Sequence, residues 1–195
     1  MQAGIHGDEV AGVYALEEIL RKIKVHSGTL ILLPRMNPPA LLAHRRYLNV
    51  DLNTVFPGLN VPHPYEYPLA REIYLLVKRE KMEYVLTLHE AKTRHNPAVP
   101  KTFGQTIVYG VEPPPRLLWE WLRRVNRYTN FFEKFYHYYS PQYDGGTDIM
   151  VRNLKLKGGF AVETWRGFNL QRRIELQKLV LLTFLQQVGL DYSLN

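Results

Sequence analysis

Near its amino terminus the chain carries His6-Gly7-Asp8-Glu9. A histidine and a carboxylate three apart, where an apolar stretch gives way to an amphipathic helix, can both turn toward one metal ion. Two histidines, a glutamate and a water make up a catalytic zinc set. Hydrolysis then needs a second histidine and a carboxylate that can take a proton from water. His89 and Glu163 each follow a strand-like apolar run, over residues 84–88 and 160–162. His6, His89 and Glu163 are therefore expected at the carboxyl edge of one sheet, where α/β folds place their sites.

Taken singly, these residues have plainer readings. Glu9 is an acidic residue suited to a first helical turn, His89 a core histidine, and Glu163 a structural partner for Arg166. His26, His44, His63, His95 and His137 show no ligand-like spacing among themselves.

The elements that must hold these groups alternate along the chain. Val10, Val13, Leu16, Ile19, Leu20 and Ile23 fall at helical spacing and predict a helix over residues 10–24. The unbroken apolar run 29–33 predicts a strand buried on both faces. Asn37-Pro38-Pro39 interrupts the pattern, and residues 43–68, rich in Pro, Asn, His and Tyr, read as a long functional loop. A helix over 69–81, a strand over 84–88 and a strand near 106–109 follow. Pro113 to Pro115 open a long helix, and residues 136–143 form an aromatic loop ended by Gly145-Gly146. A strand over 160–162 and an apolar helix over 170–188 close the chain. This alternation predicts one α/β domain over residues 1–195, three-layered, with a mostly parallel or mixed central sheet flanked by helices.

Composition narrows the function classes. With 195 residues, 46% hydrophobic and 22% charged, the chain has the make-up of an ordinary globular protein. It has no cysteine, so a metal must sit on His, Asp or Glu. No apolar run reaches membrane-spanning length, and neither a membrane nor a nucleic-acid partner is expected. The net charge of +7 comes from short dispersed pairs such as Arg45-Arg46, Arg123-Arg124 and Arg172-Arg173, with no nucleic-acid-binding signature beside them. An anionic small substrate suits that charge equally well. Cytoplasmic residence is the default expectation.

GIHGDE at residues 4–9, DLNTVFPG at 51–58, LHEA at 88–91 and AVET at 161–164 stand in order along the chain. Together they resemble the zinc carboxypeptidase superfamily. The similarity is closer to its aspartoacylase and succinylglutamate desuccinylase branch, whose hallmarks are HGxE and DLNRxFPG. The resemblance implies a zinc-exopeptidase-like fold and one zinc ion held by His6, Glu9 and His89. It makes Glu163 the general base. Arg46, eight residues before Thr54, is implied to stabilise the oxyanion, and Asn53 to hydrogen-bond the substrate carboxylate.

Two departures accompany it. Thr54 stands where the family has an arginine that grips the substrate carboxylate in bidentate fashion, which a hydroxyl cannot do; Arg45, Lys92 and Arg94 are candidate substitutes. Relatives also carry one or more strands ahead of HGxE that this chain is expected to lack. Asp148 follows Gly145-Gly146-Thr147 and lies fifteen residues before Glu163. Digestive carboxypeptidases place there an acidic residue that prefers a basic substrate side chain. Tyr139 or Tyr143 would match their mobile active-site tyrosine. In the simpler alternative Asp148 caps the following helix and the tyrosines pack on the sheet rim. The function implied is zinc-dependent cleavage of an amide bond in a short peptide, including a cell-wall peptide. One alternative is deacylation of a small N-acyl amino acid; another is a non-catalytic relative that binds metal or ligand.

Overall fold

Side chains buried on both faces of two eight-residue strands form the centre of the molecule in the computed structural model, which describes residues 1–110, 116–140 and 145–195. In chain order the elements are β1 (Gln2–Ala3), α1 (Ala11–Leu20), β2 (Ile23–Ser27), α2 (Pro38–Leu42), α3 (Glu66–Arg79), β3 (Tyr84–Ala91) and β4 (Thr106–Tyr109). There follow α4 (Arg116–Asn126), β5 (Tyr136–Tyr139), α5 (Gly145–Leu154), β6 (Gly158–Trp165), α6 (Leu170–Gln187) and β7 (Asp191–Leu194). The main sheet has the order β1-β3-β6-β4-β5. It is parallel except between β6 and β4, which run antiparallel. This is the expected mixed sheet.

The period-two alternation of β3 and β6 sorts their side chains into two layers. Leu86, Leu88, Phe160 and Val162 pack with Leu16 of α1, Trp121 of α4 and Phe184 of α6. Val85 packs on the opposite layer with Ile73 of α3 and Met150 of α5, and Thr87 bonds Thr147 of α5 across 2.8 Å. His89 and Glu163 share the α3/α5 face by the same alternation.

Trp121 is the largest fully buried side chain. Its indole N–H donates to the Val180 carbonyl at 3.0 Å and the Thr183 hydroxyl at 3.2 Å. Its ring meets Phe160 and Phe184 edge-on. Trp121→Ala is expected to destabilise the fold by about 3–5 kcal/mol, seen as a lower urea midpoint at unchanged slope.

The structure revises several local expectations. The helix starting after Val10 ends at Leu20, and Ile23–Ser27 forms β2 instead, paired antiparallel with β7. The apolar run 29–33 is half-exposed. It lies along the outer edge of β1 through Leu33 N–H to Met1 O and Ala3 N–H to Leu33 O, both 2.9 Å, and so covers that edge without forming a central strand. The start of the aromatic loop is β5, an edge strand, and residues 145–154 form α5. The prolines expected to open α4, Pro113 to Pro115, fall outside the described residues.

Candidate metal centre

The turn after β1 carries His6 and Glu9 into the α3/α5 side of the sheet, and close backbone packing holds it there. Gly7 N–H donates to Arg45 O at 3.0 Å, and a Cβ on Gly7 would lie 2.0 Å from the Ala40 carbonyl oxygen. Only glycine permits that approach. α2, which supplies Ala40, is itself fixed by Asn37, whose side chain accepts from Ala40 N–H, and by Pro38 at the first helical position.

His6, Glu9 and His89 are 2%, 4% and 2% exposed. Their ligand atoms all lie within 4.8 Å of one another, the one such cluster among the described residues. Glu9 is its centre. His6 Nδ1 faces Glu9 Oε1 at 2.9 Å and His89 Nδ1 faces Glu9 Oε2 at 2.8 Å. On the other side of the His6 ring, Nε2 meets Asp51 Oδ1 at 3.1 Å. With the Nε2 proton donated to Asp51, the Nδ1 lone pair is directed inward, which is how an outer carboxylate prepares a histidine to bind metal. Arg46 donates to Glu9 Oε1 and Asp51 Oδ2, each at 3.3 Å, with its side chain half exposed.

The charges of this cluster reinforce one another. Burial pushes the Glu9 carboxyl up, but the charges and hydrogen bonds of His6 and His89 prevail and hold it well below the usual carboxylate range. For His6, burial favours the neutral ring, yet Glu9 and Asp51 together raise it. Asp51, despite partial burial, is brought down to about 2 by its hydrogen bond to His6 and the charges of His6 and Arg46. A buried carboxylate facing two imidazole nitrogens is a donor set that suits a zinc-like ion.

Glu163 is 1% exposed and pairs in register with His89 across the parallel β3–β6 ladder. Neighbours in register share a sheet face, so both side chains project to the metal side. They sit two residues inside their strands, which continue to Ala91 and Trp165. Arg166, the plainer partner for Glu163, makes its ion pairs with Asp8 at 3.0 Å and Glu9 at 3.9 Å.

Asn53 and Thr54 lie on a 3-10 turn capped by Asp51. Asn53 is buried, its N–H donating to Asp51 Oδ1 at 3.0 Å, and its own Oδ1 has no hydrogen-bond partner among the described residues. The Thr54 hydroxyl donates to Asp51 O at 2.9 Å. Gly145 and Gly146 of α5 abut this turn.

Asp148 is buried one turn into α5, with its carboxylate against Gly110 and 3.8 Å from Arg152. Gly110 lies four residues beyond Thr106, the cross-strand partner of Glu163. Tyr139 pairs with Tyr109, three residues past Thr106, and packs on its ring at the edge of the sheet. Tyr143 falls outside the described residues. Arg94 is turned to the rim, donating to Phe132 O at 2.7 Å and lying over the Phe132 and Trp165 rings. Sequence reasoning missed Asp51, Glu90 and Arg166. Asp51 and Glu90 belong to the quoted DLN and LHEA segments and so carried a signal; Arg166, named only beside Glu163, is joined to Asp8 and Glu9 by folding.

Csd4, a cell shape determinant protein of Helicobacter pylori, superposes on the whole chain with a TM-score of 0.88 at 22% identity, this chain covering 51% of that one. Its mDAP-bound form, described as a D,L-carboxypeptidase, gives 0.87 at 24%. The fold is thus that of zinc peptidases. Residues 1–99 match the model of the succinylglutamate desuccinylase/aspartoacylase catalytic domain, and the chain belongs to that family. A succinylglutamate desuccinylase of Burkholderia lata is 31% identical over 136 residues, which is 63% of this chain and 37% of that protein. The chain therefore spans well under two thirds of the length of these relatives. Hydrolysis is the chemistry of the named relatives. No helix among the described residues is long and apolar enough to cross a membrane.

Proposed function

We propose that the chain is a zinc-dependent hydrolase that cleaves an amide bond in a short peptide, in the manner of a carboxypeptidase. The observation that carries this reading is the convergence of His6, Glu9 and His89 on one buried point, with Glu163 on the neighbouring strand in register with His89. His6 Nδ1, His89 Nδ1 and the Glu9 carboxylate would hold one zinc ion. Bound there, zinc supplies Lewis acidity that polarises the amide carbonyl and makes water acidic enough to lose a proton near neutral pH.

Glu163 takes the proton from the attacking water and returns it to the departing nitrogen. The half-exposed Arg46 guanidinium offers charge to the developing oxyanion. Asn53 orients the substrate carboxylate from its buried turn. The Thr54 hydroxyl, already donating to Asp51 O, leaves that carboxylate without the usual bidentate grip, so Thr54 marks a changed substrate contact. Asp148, a buried carboxylate deeper in α5, favours a substrate with a basic side chain, and Tyr143 is assigned to contact the substrate. The likeness to the D,L-carboxypeptidase supports the peptide substrate.

A second reading, deacylation of an N-acyl amino acid, is favoured by the desuccinylase relative. Metal analysis of the zinc-loaded protein, followed by a panel of short peptides and N-acyl amino acids, decides between them. One zinc per chain and release of a carboxy-terminal residue is the expected result. Turnover of N-acyl amino acids alone supports the second reading. Zinc without hydrolysis leaves a binding relative, and failure to hold zinc rejects the metal centre.

A further inference from the structure

Resting on that reading of the metal centre, we propose that Glu90 is a positioning residue: it ties the turn bearing His6 and Glu9 to the strand bearing His89, and so sets how tightly the centre grips its metal. Alternation along β3 sends Glu90 to the face opposite His89, into the layer of α1 and α6. A carboxylate 3% exposed in that apolar layer must be fully partnered to be tolerated. Glu90 Oε2 accepts the Ala11 N–H at 3.0 Å. α1 has no cap of its own, because Val10 at its N-cap position makes no side-chain hydrogen bond. The cap therefore comes from β3, and its charge suits the positive end of the helix. Glu90 Oε1 forms an ion pair with Arg173 of α6.

The backbone closes the circuit. Glu90 N–H donates to Glu9 Oε2 at 3.2 Å, the same oxygen that faces His89 Nδ1. Glu9 lies two residues before Ala11. The path from the Glu9 carboxylate through Glu90 to Ala11 and back along the chain is thus a small closed ring. α6 steadies the other ligand as well: Gln177 donates to the His89 carbonyl at 2.8 Å and to Thr164 Oγ1 at 3.0 Å. Without the Glu90 carboxylate, the Ala11 N–H loses its acceptor and Arg173 loses its buried counter-charge. The distance between Glu9 and His89 is then no longer held from behind.

The test is a zinc affinity measured by chelator competition, with the zinc-free melting temperature and the cobalt(II) absorption spectrum recorded in parallel. Glu90→Ala is expected to bind zinc about 10–100-fold more weakly, the range seen when groups behind metal ligands are removed, with altered cobalt bands. Glu90→Gln keeps an acceptor for Ala11 N–H and loses the charge facing Arg173, so it is expected to fall between Glu90→Ala and the wild type. Arg173→Gln should shift affinity in the same direction. A lower melting temperature with wild-type zinc affinity would make Glu90 a purely structural residue and overturn the proposal. If Glu90→Ala does not fold, wild-type affinity in both Glu90→Gln and Arg173→Gln overturns it equally. A wild-type protein that binds no zinc fails at the metal centre itself, before any variant is compared.

Discussion

Glu163→Gln is expected to lower kcat by about 10²–10⁴-fold, the usual worth of a positioned general base, while zinc content and KM stay near wild type. The substitution preserves size and hydrogen-bonding shape in a side chain that is 1% exposed. It removes only the capacity to accept and return a proton. Because Glu163 lies beside His89 and outside the cluster of converging ligand atoms, the metal should be retained. A structural role makes a different forecast: loss of stability or zinc, with activity per folded, loaded molecule unchanged. Steady-state kinetics with metal analysis on the same sample separates the two. Near wild-type kcat with zinc bound would remove Glu163 from the mechanism.

Glu9→Ala is expected to abolish zinc retention through dialysis and activity with it. Its effect should exceed the roughly 100-fold ceiling for groups behind the ligands. Glu9 faces both imidazoles, and it accepts from Arg46 and from the Glu90 amide. Its removal leaves two buried rings and two guanidinium groups without their shared counter-charge. Breaking a buried charge cluster from one side costs on the order of 3 kcal/mol, so the zinc-free protein should also unfold at lower urea. The comparison with Glu90→Ala is instructive. Both variants act on the link between the Glu9 turn and β3, but only Glu9→Ala deletes a ligand. Equal zinc affinities for the two would argue that Glu9 does not touch the metal.

Much of the site is legible in the chain because its chemistry is local. His6 and Glu9 are one turn apart, and His89 and Glu163 sit in apolar runs recognisable as strands. The mixed sheet and its helical layers follow from the same alternation. What escapes is whatever long-range pairing decides. Ile23 satisfies a helical period as well as a strand period, and only the arrival of Asp191–Leu194 selects the strand. β5 reads as an aromatic loop because its side chains are mostly exposed, so no buried face patterns it. Arg94 is a plausible grip on a substrate carboxylate until Phe132 and Trp165 are seen to hold it at the rim. Arg166 looks like a partner for Glu163, three residues away, yet the fold brings Asp8 to it across 158 residues of chain.

The placement of His89 and Glu163 on β3 and β6 also divides the site by resistance to local opening. Each strand is hydrogen-bonded on both sides, within a sheet bounded by β1 and β5. Their amides should open only with the whole domain, at close to its global free energy. Arg46, by contrast, stands on an exposed stretch between α2 and the 3-10 turn, tied to the site mainly through its half-exposed side chain's bonds to Glu9 and Asp51. One wall of the site is thus expected to open only with global unfolding. The opposite wall can yield at little cost, and adaptation to different substrates is cheapest on that side.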